Sequence, residues 1–506
     1  MNELELKFRL DERAAQQWQR MFDAQGARRL RLRARYFDTD DGSLGRAGIA
    51  LRLRLEGDHW VQTLKARGDS AVHRLEHEVA VPAAPDETPA LDIAHHTGTP
   101  AHEQLLKAMG GTGQAALEER FATDVWRSIV VIEDPAGSRV EAALDLGHVH
   151  AGDRRAPVAE LELEHLDGPV ASLFKRAEEA LSVGGLWLST ISKAEQGERL
   201  RQGSPTPATK ARAVASMPNA TGAQVLRMVL ANTLAQVLPN LSIAAEGQAD
   251  DEHIHQARVG LRRLRTALRE FAKTGPRIDP VWESALAKTF RTLGEQRDHE
   301  AVSAAVRPLL EAAGAPKTVW DAPTAVDTTA AARAPALQQT LLHLLSLLHD
   351  SDESLSPLSH EAVLELFAKR LQRLHRRVER AGRVFETLST TEQHAVRKRL
   401  KRLRYLSEFA QLLWAADEVD AYVDTLKPMQ EALGHHADCT VAAEHFQRDA
   451  KTDPSAQFAA GYLRGHLETT ARVAHKALRR MRKLQRFWRD RPPPLKTKES
   501  ALLRER

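Results

Sequence analysis

The sequence predicts an α+β segment over residues 1–200 and an all-α segment over residues 222–490. Short stretches of the first segment alternate apolar and polar residues with the period of two expected for strands. Beyond residue 222, leucines recur every three or four residues, as they do on one face of a helix. Residues 201–221 are rich in Gly, Pro and small side chains, so we expect a linker there. Residues 491–506 are expected to form a flexible tail.

The composition of the 506-residue chain bounds the class of protein. With 42% hydrophobic and 28% charged residues, a folded globular protein is expected. No apolar run approaches the roughly 18–20 residues of a membrane span, so we expect no membrane partner. The first residues are acidic, unlike a secretory signal, and the single cysteine, Cys439, excludes an internal disulfide. We therefore expect a cytoplasmic location.

The strand pattern recurs along the first segment in stretches of about five to seven residues, a usual strand length. These stretches are residues 3–8, 50–55, 61–65, 76–81, 128–132, 139–145 and 159–164. Helical patterns lie between them at residues 11–24, 101–108 and 171–182. This mixture of strands and helices predicts one α+β domain.

The charged residues on these strands are sorted by sign. In chain order they are Glu3, Glu5, Lys7, Arg52, Arg54, Lys65, Glu160, Glu162 and Glu164. Carboxylates two residues apart on a strand are about 6.5–7 Å apart and repel each other, so stability alone would favour mixed signs. The sorting suits a divalent cation beside a multiply charged anion. Ligands that are all oxygen favour Mg²⁺ or Mn²⁺ over zinc.

The helical segment contains an internal repeat. One copy begins with His255-Gln-Ala-Arg258 and the other with His394-Ala-Val-Arg397, and eleven positions align without a gap. A Leu-Gly pair and then an Asp follow in each copy. Two related helical units are therefore predicted over about 222–311 and 337–490, with residues 312–336 as the loop between them.

Basic residues follow one face of the helix predicted in each copy, within a stripe about 80° wide and opposite the apolar face. The two stripes consist of His255, Arg258, Arg262, Arg265 and Arg269, and of His394, Arg397, Lys401 and Arg404. Like charges at these spacings destabilise a helix, so we expect a polyanion partner. Aromatic residues that would stack on bases are sparse, which makes nucleic acid possible but less favoured.

The charge balance of the two segments agrees with this expectation. Residues 1–200 contain 25 Lys and Arg against 33 Asp and Glu, whereas the remainder contains 47 against 35. A basic helical part should attract a polyanion.

The charged strands resemble the CYTH superfamily, the triphosphate tunnel metalloenzymes. Glu3-Leu-Glu5-Leu-Lys7 is similar to the Glu-x-Glu-x-Lys signature of that family. Further matches follow in order at Tyr36 to Thr39, Leu51 to Arg54, Thr63 to Lys65, Arg74 with Glu76, Asp145, Glu160 to Glu164, and Ser192 with Lys193. The resemblance covers residues 1–200 and implies an eight-stranded antiparallel β-barrel with flanking helices. Its charged inner face would form a tunnel, and its apolar residues would face outward.

The same resemblance implies a role for each charged residue. The metal ligands, for one or two Mg²⁺ or Mn²⁺ ions, would be Glu3, Glu5, Glu160, Glu162 and Glu164. The substrate-binding cations would be Lys7, Arg52, Arg54, Lys65, Arg74, Arg127 and Lys193. Among all of these, we expect Glu5, Lys7 and Arg54 to be the catalytic residues.

The activity that the resemblance implies is the hydrolysis of a compound with a triphosphate group. The leading expectation is metal-dependent hydrolysis of inorganic triphosphate to pyrophosphate and phosphate. A nucleoside or thiamine triphosphatase, or an adenylate cyclase, would use the same tunnel. A non-enzymatic protein that binds polyphosphate granules or nucleic acid is a further alternative.

The repeated helices resemble the CHAD domain, through the pattern His-x-x-Arg-x-x-x-(Arg/Lys)-Arg-x-Arg and the Leu-Gly and Asp that follow it. The resemblance spans about 222–490 and implies two pseudo-symmetric four-helix bundles with a basic surface for inorganic polyphosphate. The expected polyphosphate-binding residues are His255, Arg258, Arg262, Arg263, Arg265, Arg269, His394, Arg397, Lys401, Arg402 and Arg404. Association with polyphosphate granules in the cytoplasm would follow.

Overall fold

The computed structural model describes residues 2–67, 73–111, 116–135, 137–217, 219–272, 279–316, 326–451 and 453–489. For Glu3 and Arg74 it describes the backbone alone, so the roles predicted for their side chains lie outside the described residues. So does the predicted tail over 491–506. The chain divides into two compact units. The first comprises residues 1–210, 234–257 and 328–349, and the second comprises residues 211–233, 258–327 and 350–506.

The first unit is built on a nine-stranded antiparallel sheet. Its strands are β1 (Asn2–Leu10), β2 (Arg28–Thr39), β3 (Ala50–Glu56), β4 (His59–Arg67), β5 (His73–Val81), β6 (Leu117–Glu133), β7 (Arg139–Ala151), β8 (Arg154–Asp167) and β9 (Leu186–Leu188). Their order is β5-β4-β3-β2-β6-β7-β8-β1-β9. The α+β class is confirmed, but the predicted number of eight strands is wrong because β9 adds a ninth.

Strand β1 has three partners along its length. Residues 5–9 pair with β8 and residues 8–10 pair with β9. Residues 2–4 pair with β5, which lies at the other end of the strand order. The seven predicted stretches all fall within strands, whereas β2 and β9 were not predicted.

Helices cover the apolar face of this sheet. They are α1 (Glu12–Ala24), α2 (Ser43–Ala47), α3 (Pro100–Ala108) and α4 (Ala171–Val183). Side chains cap two of them, because Asp11 accepts from the backbone N–H of Ala14 and Thr99 accepts from that of His102. The backbone of Gly48 ends α2 with a positive φ of 75°. Leu51 of β3 and Leu64 of β4 belong to the same apolar cluster as Leu105 of α3. This packing confirms that alternate apolar residues face outward beneath helices.

A fifth helix, α5 (Lys193–Gln202), packs against the opposite face of the sheet. There an apolar cluster joins Leu32, Tyr36 and Phe121 to side chains of the helix. The approach is so close that a Cβ on Gly197 would lie 2.0 Å from the ring of Phe121. Part of the inner face is therefore apolar, which the prediction of a wholly charged lining did not include.

The rest of the described chain is helical. Its helices are α6 (Gly222–Ala245), α7 (Asp251–Phe271), α8 (Pro280–Thr292), α9 (Glu295–Ala312), α10 (Thr328–Arg333), α11 (Pro335–Ser346), α12 (Asp352–Leu355), α13 (His360–Gly382), α14 (Thr390–Ala410), α15 (Ala416–Asp449) and α16 (Pro454–Leu478). The all-α class predicted for this part is confirmed. The loop predicted over 312–336 contains α10 and the start of α11, and its residues 317–325 lie outside the described chain.

The linker was predicted over 201–221, but α5 runs to Gln202, so the segment after this helix begins at residue 203. Its backbone is anchored to the first unit, since Asn240 exchanges two hydrogen bonds with the backbone of Thr209, at 2.8 and 3.1 Å. The His253 ring is 2.8 Å from the carbonyl oxygen of Thr206. This segment is therefore fixed by polar contacts rather than loosely tethered.

Helix α6 is the one described helix that is long and apolar enough to span a membrane. The expectation that no segment reaches that length is therefore wrong. The apolar stretch of the helix is 72% buried within the described residues. A core helix meets the same criterion by length and composition.

Candidate functional site

Strands β1 and β8 place charged residues directly opposite one another. Their register pairs Lys7 with Glu162, Arg9 with Glu160, and Glu5 with Glu164. Residues opposite in an antiparallel pair have Cβ atoms about 4.5–5.5 Å apart on the same face. Four predicted carboxylates and one predicted lysine, together with Arg9, thus form a single charged patch.

Lys193 occupies the centre of this patch. It is the first residue of α5, whose N-terminus Ser192 caps by accepting from the backbone N–H of Glu195. The Lys193 ammonium lies 2.7 Å from Asp145, 2.6 Å from Glu160 and 2.8 Å from Glu162. The side chains of Asp145 and Glu160 are fully buried. Three carboxylates therefore surround one ammonium group away from solvent.

Further cations bind the same carboxylates. Arg127 donates from Nε and Nη2 to the two oxygens of Asp145, each at 2.7 Å, and it also contacts Glu162. Lys7 lies between Glu162 at 3.5 Å and Glu5 at 3.6 Å. On the far side, Arg9 donates to Glu160 at 3.0 Å. This network fixes the position of every member.

The network holds its groups in their charged forms. Burial opposes ionisation of Glu162, but Lys193 and Arg127 outweigh it, so the pKa of Glu162 lies well below its usual value. Burial also disfavours the charged form of Lys193, yet the surrounding carboxylates raise the pKa of Lys193 well above its usual value. The pKa of Asp145 is lowered in the same way, because Arg127 and Lys193 outweigh its burial.

A second charged group lies on β3, β4 and β5. Arg54 contacts Glu56 and lies 3.4 Å from Glu78, and Arg52 lies 3.7 Å from the same Glu78 oxygen. Lys65 is opposite Glu76 in the strand register and 2.8 Å from it. The predicted basic strands therefore face an acidic strand that the sequence reading gave no role.

The two charged groups influence one another. Burial and the neighbouring Arg52 lower the pKa of Arg54, and the positive charge of Arg127 contributes to that shift. Burial opposes ionisation of the Tyr36 hydroxyl, but Arg52 and Lys193 outweigh it, so the pKa of Tyr36 is lowered. Cations of the two groups therefore lie close enough to affect each other's pKa.

The structure brings most of the predicted site residues together. Glu5, Lys7, Arg127, Glu160, Glu162 and Lys193 form the first group, and Arg52, Arg54 and Lys65 form the second. Glu164 lies on the same face of β8, opposite Glu5 on one side and Glu141 on the other.

Sequence reasoning assigned no role to Asp145, Arg9, Glu76 or Glu78. A signal existed for Arg9, which continues the alternation of Glu5 and Lys7 by one more step. Asp145 ends a predicted strand and belongs to the CYTH-like series, but an isolated aspartate has no spacing that marks it as a ligand. Its importance follows from the register, which places it opposite both Arg127 and Glu160.

Asp145, Glu160 and Glu162 are suitable ligands for a divalent metal. One oxygen from each lies within 4.8 Å of the others. Carboxylate oxygens in this arrangement fit hard cations such as Mg²⁺ and Mn²⁺. That three carboxylates converge on the Lys193 ammonium shows that this position favours a cation.

The helical segment holds a separate set of basic residues. In the first repeat, Arg258 of α7 donates two hydrogen bonds to Asp298, at 2.8 and 2.7 Å. Gly294 makes room for this guanidinium, because a Cβ there would lie 2.6 Å from an Arg258 nitrogen. The Leu-Gly and Asp of the repeat motif therefore serve to position an arginine.

The second repeat differs at the equivalent position. Within the described part of the chain, Arg397, Lys401 and Arg262 form no hydrogen bond or ion pair through their side chains, and the Nε of Arg397 is buried without a partner. Burial and the charges of Arg262 and Arg397 lower the pKa of Lys401 to about 6. Arg262 of one repeat thus lies near Arg397 and Lys401 of the other, and we call these three residues the basic cluster.

Other predicted polyphosphate-binding residues are engaged within the protein. Arg263 is 3% exposed, donates to Asn232 at 2.7 Å and lies over the ring of Phe409. Arg402 forms an ion pair with the buried Glu270.

The remaining predicted residues lie along the two helices. Arg265 and Arg269 both donate to Glu283, at 2.8 and 3.1 Å. Arg404 lies 3.0 Å from Glu408, whereas His255 is half-buried and His394 is exposed. The two stripes are therefore partly neutralised at their ends.

Comparison with known families matches both segments. Residues 1–197 match the CYTH domain and residues 228–447 match the CHAD domain. An inorganic triphosphatase of Haemophilus influenzae is 31% identical over 164 residues, which cover 32% of this chain and 44% of that protein. The chain thus spans less than half the length of this relative. An uncharacterised protein of Mycobacterium tuberculosis is 27% identical over 500 residues, which cover 89% of this chain and 91% of that one.

Two solved structures are similar to parts of the chain. The CHAD domain of the plant Ricinus communis is 26% identical with a TM-score of 0.46, and the match covers 56% of this chain and 98% of that one. A Hippeastrum protein, described as a putative adenylyl cyclase with a dominant triphosphatase activity, is 18% identical with a TM-score of 0.27. That match covers 40% of this chain and 98% of the other. From the two domain matches, this chain belongs to the proteins that join a CYTH domain to a CHAD domain.

Proposed function

We propose that the CYTH domain hydrolyses inorganic triphosphate to pyrophosphate and phosphate in a metal-dependent reaction. The observation that carries this proposal is the convergence of Lys7, Arg127 and Lys193 on Asp145, Glu160 and Glu162. Sequence similarity to an inorganic triphosphatase supports it. The pairing of β1 with β5 supports the further proposal that the sheet encloses a tunnel.

The cations of both charged groups would bind the phosphate chain. Hydroxide or water is repelled by a polyanionic substrate, and this repulsion falls when guanidinium and ammonium groups neutralise the phosphate oxygens. Arg52 and Arg54 are 12% and 13% exposed, so they would act in a site with little water. In such a site each contact is stronger than it would be in bulk solvent.

Asp145, Glu160 and Glu162 would hold Mg²⁺ or Mn²⁺, with Glu5 and Glu164 beside them. When bound, such an ion supplies positive charge to phosphate oxygens and lowers the pKa of a coordinated water. Lys193 would leave the centre of the three carboxylates and become available to the substrate.

In the proposed reaction a water molecule attacks the terminal phosphorus in line with the bridging oxygen that leaves. Glu5 is placed to orient this water, because its carboxylate lies beside Lys7 at 3.6 Å and is opposite Glu164. Lys7 and Arg54 would stabilise the charge that develops on the transferred group. The bond to the bridging oxygen breaks, and orthophosphate and pyrophosphate are the products.

A phosphate-release assay on the purified full-length protein tests this proposal. The substrates are inorganic triphosphate, ATP, thiamine triphosphate and long-chain polyphosphate, each with Mg²⁺, with Mn²⁺ and with a chelator. We expect inorganic triphosphate to give the highest kcat/KM and the chelator to abolish release. Preference for thiamine triphosphate or ATP would contradict the substrate assignment, and formation of cyclic AMP would indicate a cyclase.

We further propose that the CHAD domain binds inorganic polyphosphate in the cytoplasm through the basic cluster. Arg262, Arg397 and Lys401 form no ion pair among the described residues, so a polyanion would be attracted there. Competition between polyphosphate and single-stranded DNA at several salt concentrations tests this. If DNA binds more tightly at physiological salt, the assignment to polyphosphate is wrong.

A further inference from the structure

Helices α15 and α16 bring two histidines and the single cysteine of the chain together. His435 and Cys439 are four residues apart on α15, so both side chains project from the same face of that helix. His466 projects from α16, which packs against α15. None of the three belongs to the carboxylate group of the CYTH domain or to the basic stripes of the repeats.

The separations suit a shared metal ion. The Cys439 sulfur lies 3.8 Å from Nε2 of His435, and one ligand atom from each of the three residues lies within 4.8 Å of the other two. Zinc bonds of about 2.3 Å to sulfur and about 2.0–2.1 Å to nitrogen place tetrahedral ligand atoms roughly 3.5 Å apart. A small movement of side chains would therefore bring all three to one ion.

The surroundings provide both shielding and access. Cys439 is fully buried in an apolar cluster that includes Leu463 of α16. His466 is half-buried and the His435 side chain reaches the surface, so an ion can reach the sulfur from solvent between the two rings. The ring of Tyr462 stacks on His466 with centroids 5.9 Å apart, which restricts the orientation of that imidazole.

We propose that His435, Cys439 and His466 form a binding site for a zinc-type divalent cation, which links α15 to α16. Two imidazoles and one thiolate are ligands of the borderline-soft type that zinc takes, unlike the all-oxygen group of the CYTH domain. With three protein ligands, a water molecule would complete a tetrahedron. This site is separate from the proposed hydrolysis site, and the proposal does not depend on the hydrolysis reaction.

Binding at this site exchanges a proton for a metal bond. Cys439 is fully buried, and an apolar environment favours the neutral thiol over the thiolate while no cation is bound. When the cation binds, the S–H bond breaks, the sulfur–metal bond forms and one proton passes to solvent. Affinity should therefore rise with pH across the neutral range.

Cobalt(II) titration of the chelator-treated full-length protein tests this site. Co²⁺ replaces Zn²⁺ in such sites, and bonding to a thiolate produces a charge-transfer absorption that oxygen ligands do not give. We expect this absorption to saturate at one equivalent, to disappear in Cys439→Ser and His466→Gln, and to be displaced by Zn²⁺. Zn²⁺ should also raise the Tm of the wild type and leave that of both variants unchanged.

His445→Gln is the matched control, since His445 is a half-buried histidine on the same helix but outside the three-residue group. It should retain the cobalt absorption. Circular dichroism of each variant verifies folding. The proposal is wrong if the wild type shows no thiolate absorption with Co²⁺, or if Cys439→Ser retains it. Neither outcome bears on triphosphate hydrolysis, which is measured separately with Mg²⁺.

Discussion

The two charged regions of this protein differ in how far carboxylates neutralise their positive charges. In the CYTH domain, Lys193 lies within 2.8 Å of three carboxylates, and Arg127 binds one of them through two hydrogen bonds. In the CHAD domain, Arg262, Arg397 and Lys401 lie close enough for their charges to repel, and Asp438 and Asp298 only partly balance them. One region is neutralised from within, and the other is left with excess charge.

The difference indicates two kinds of ligand. A network of matched charges can exchange its internal cation for a metal and its carboxylate contacts for phosphate, and it remains charged over a wide pH range. A cluster of buried cations is costly without a counter-ion, because burial disfavours the charged form. The first arrangement fits a small substrate together with its metal, whereas the second fits a long polyanion that supplies the missing negative charge.

The largest expected effect comes from Glu162→Gln in the CYTH domain. The substitution removes a carboxylate that contacts Lys193, Arg127 and Lys7, and it also removes a proposed metal ligand. We expect kcat for phosphate release to fall at least about 100-fold, or about 3 kcal/mol of barrier. Steady-state phosphate release with saturating Mg²⁺ measures this.

Glu133→Gln is the control for that variant, because Glu133 is 71% exposed and paired only with Arg139 among the described residues. It should leave kcat unchanged. Equal activity of Glu162→Gln and wild type would show that the charged network is not the active site.

A second prediction concerns the basic cluster. Arg397→Ala removes a partly buried cation whose Nε has no partner, so little internal structure should be lost. We expect polyphosphate affinity to fall by about 2 kcal/mol, as for the loss of a charge-assisted hydrogen bond, and triphosphate hydrolysis to be unaffected. Calorimetric titration with polyphosphate at two salt concentrations measures both affinity and salt dependence.

Lys369→Ala provides the charge-matched comparison, since Lys369 is 72% exposed and pairs with Glu365 on its own helix. Its effect on polyphosphate affinity should be small. If both variants weaken binding equally, the polyanion responds to net charge rather than to the cluster.

Arg263→Ala should separate structural from ligand-binding arginines. Arg263 is almost fully buried, donates to Asn232 and lies over the ring of Phe409. We expect the free energy of unfolding to fall by about 1–3 kcal/mol, because a buried hydrogen bond and its packing are lost. Urea denaturation measures this loss. Reduced polyphosphate affinity without reduced stability would show that Arg263 contributes to polyphosphate binding rather than to folding.

The smallest expected effect is a pH dependence of polyphosphate binding. The pKa of Lys401 is lowered to about 6, so the amine is charged at pH 5 and largely neutral at pH 8. Affinity should therefore decrease as the pH rises through 6, by roughly two- to fivefold, as for one weak ion pair. Binding measured from pH 5 to pH 8 tests the sign.

Lys401→Arg should flatten this profile, because a guanidinium remains charged throughout. His394 also has a pKa lowered by partial desolvation and by the charge of Lys398, so His394→Gln is measured in parallel. A profile that is unchanged in Lys401→Arg would assign the titration to another group.

Much of the charged site was predictable because strand alternation fixes which residues share a face. Glu5 with Lys7, Arg52 with Arg54, and Glu160 with Glu162 were read from spacing alone, and the structure places each pair on one face. The outward apolar face followed from the same period of two. In the helices, the leucines of α7 and α14 were placed correctly because a 100° step per residue separates them from the basic stripe.

What escaped prediction depends on register and on distant segments. The ring of carboxylates around Lys193 needs β7, β8 and α5 to meet, and no local pattern specifies that meeting. Arg263 and Arg402 belong to the repeated basic motif, so the sequence suggests that both bind a ligand. The folded structure instead shows Arg263 donating to Asn232 and Arg402 paired with Glu270. The third member of the histidine–cysteine group, His466, lies on a separate helix from the first two.

The close packing of α5 against Phe121 leaves one part of the inner face without room for a phosphate chain. A Cβ on Gly197 would overlap the Phe121 ring, and the cluster around this contact is apolar, so it offers no cation to a phosphate. Gly197 therefore sets how closely α5, and with it Lys193, can approach the sheet.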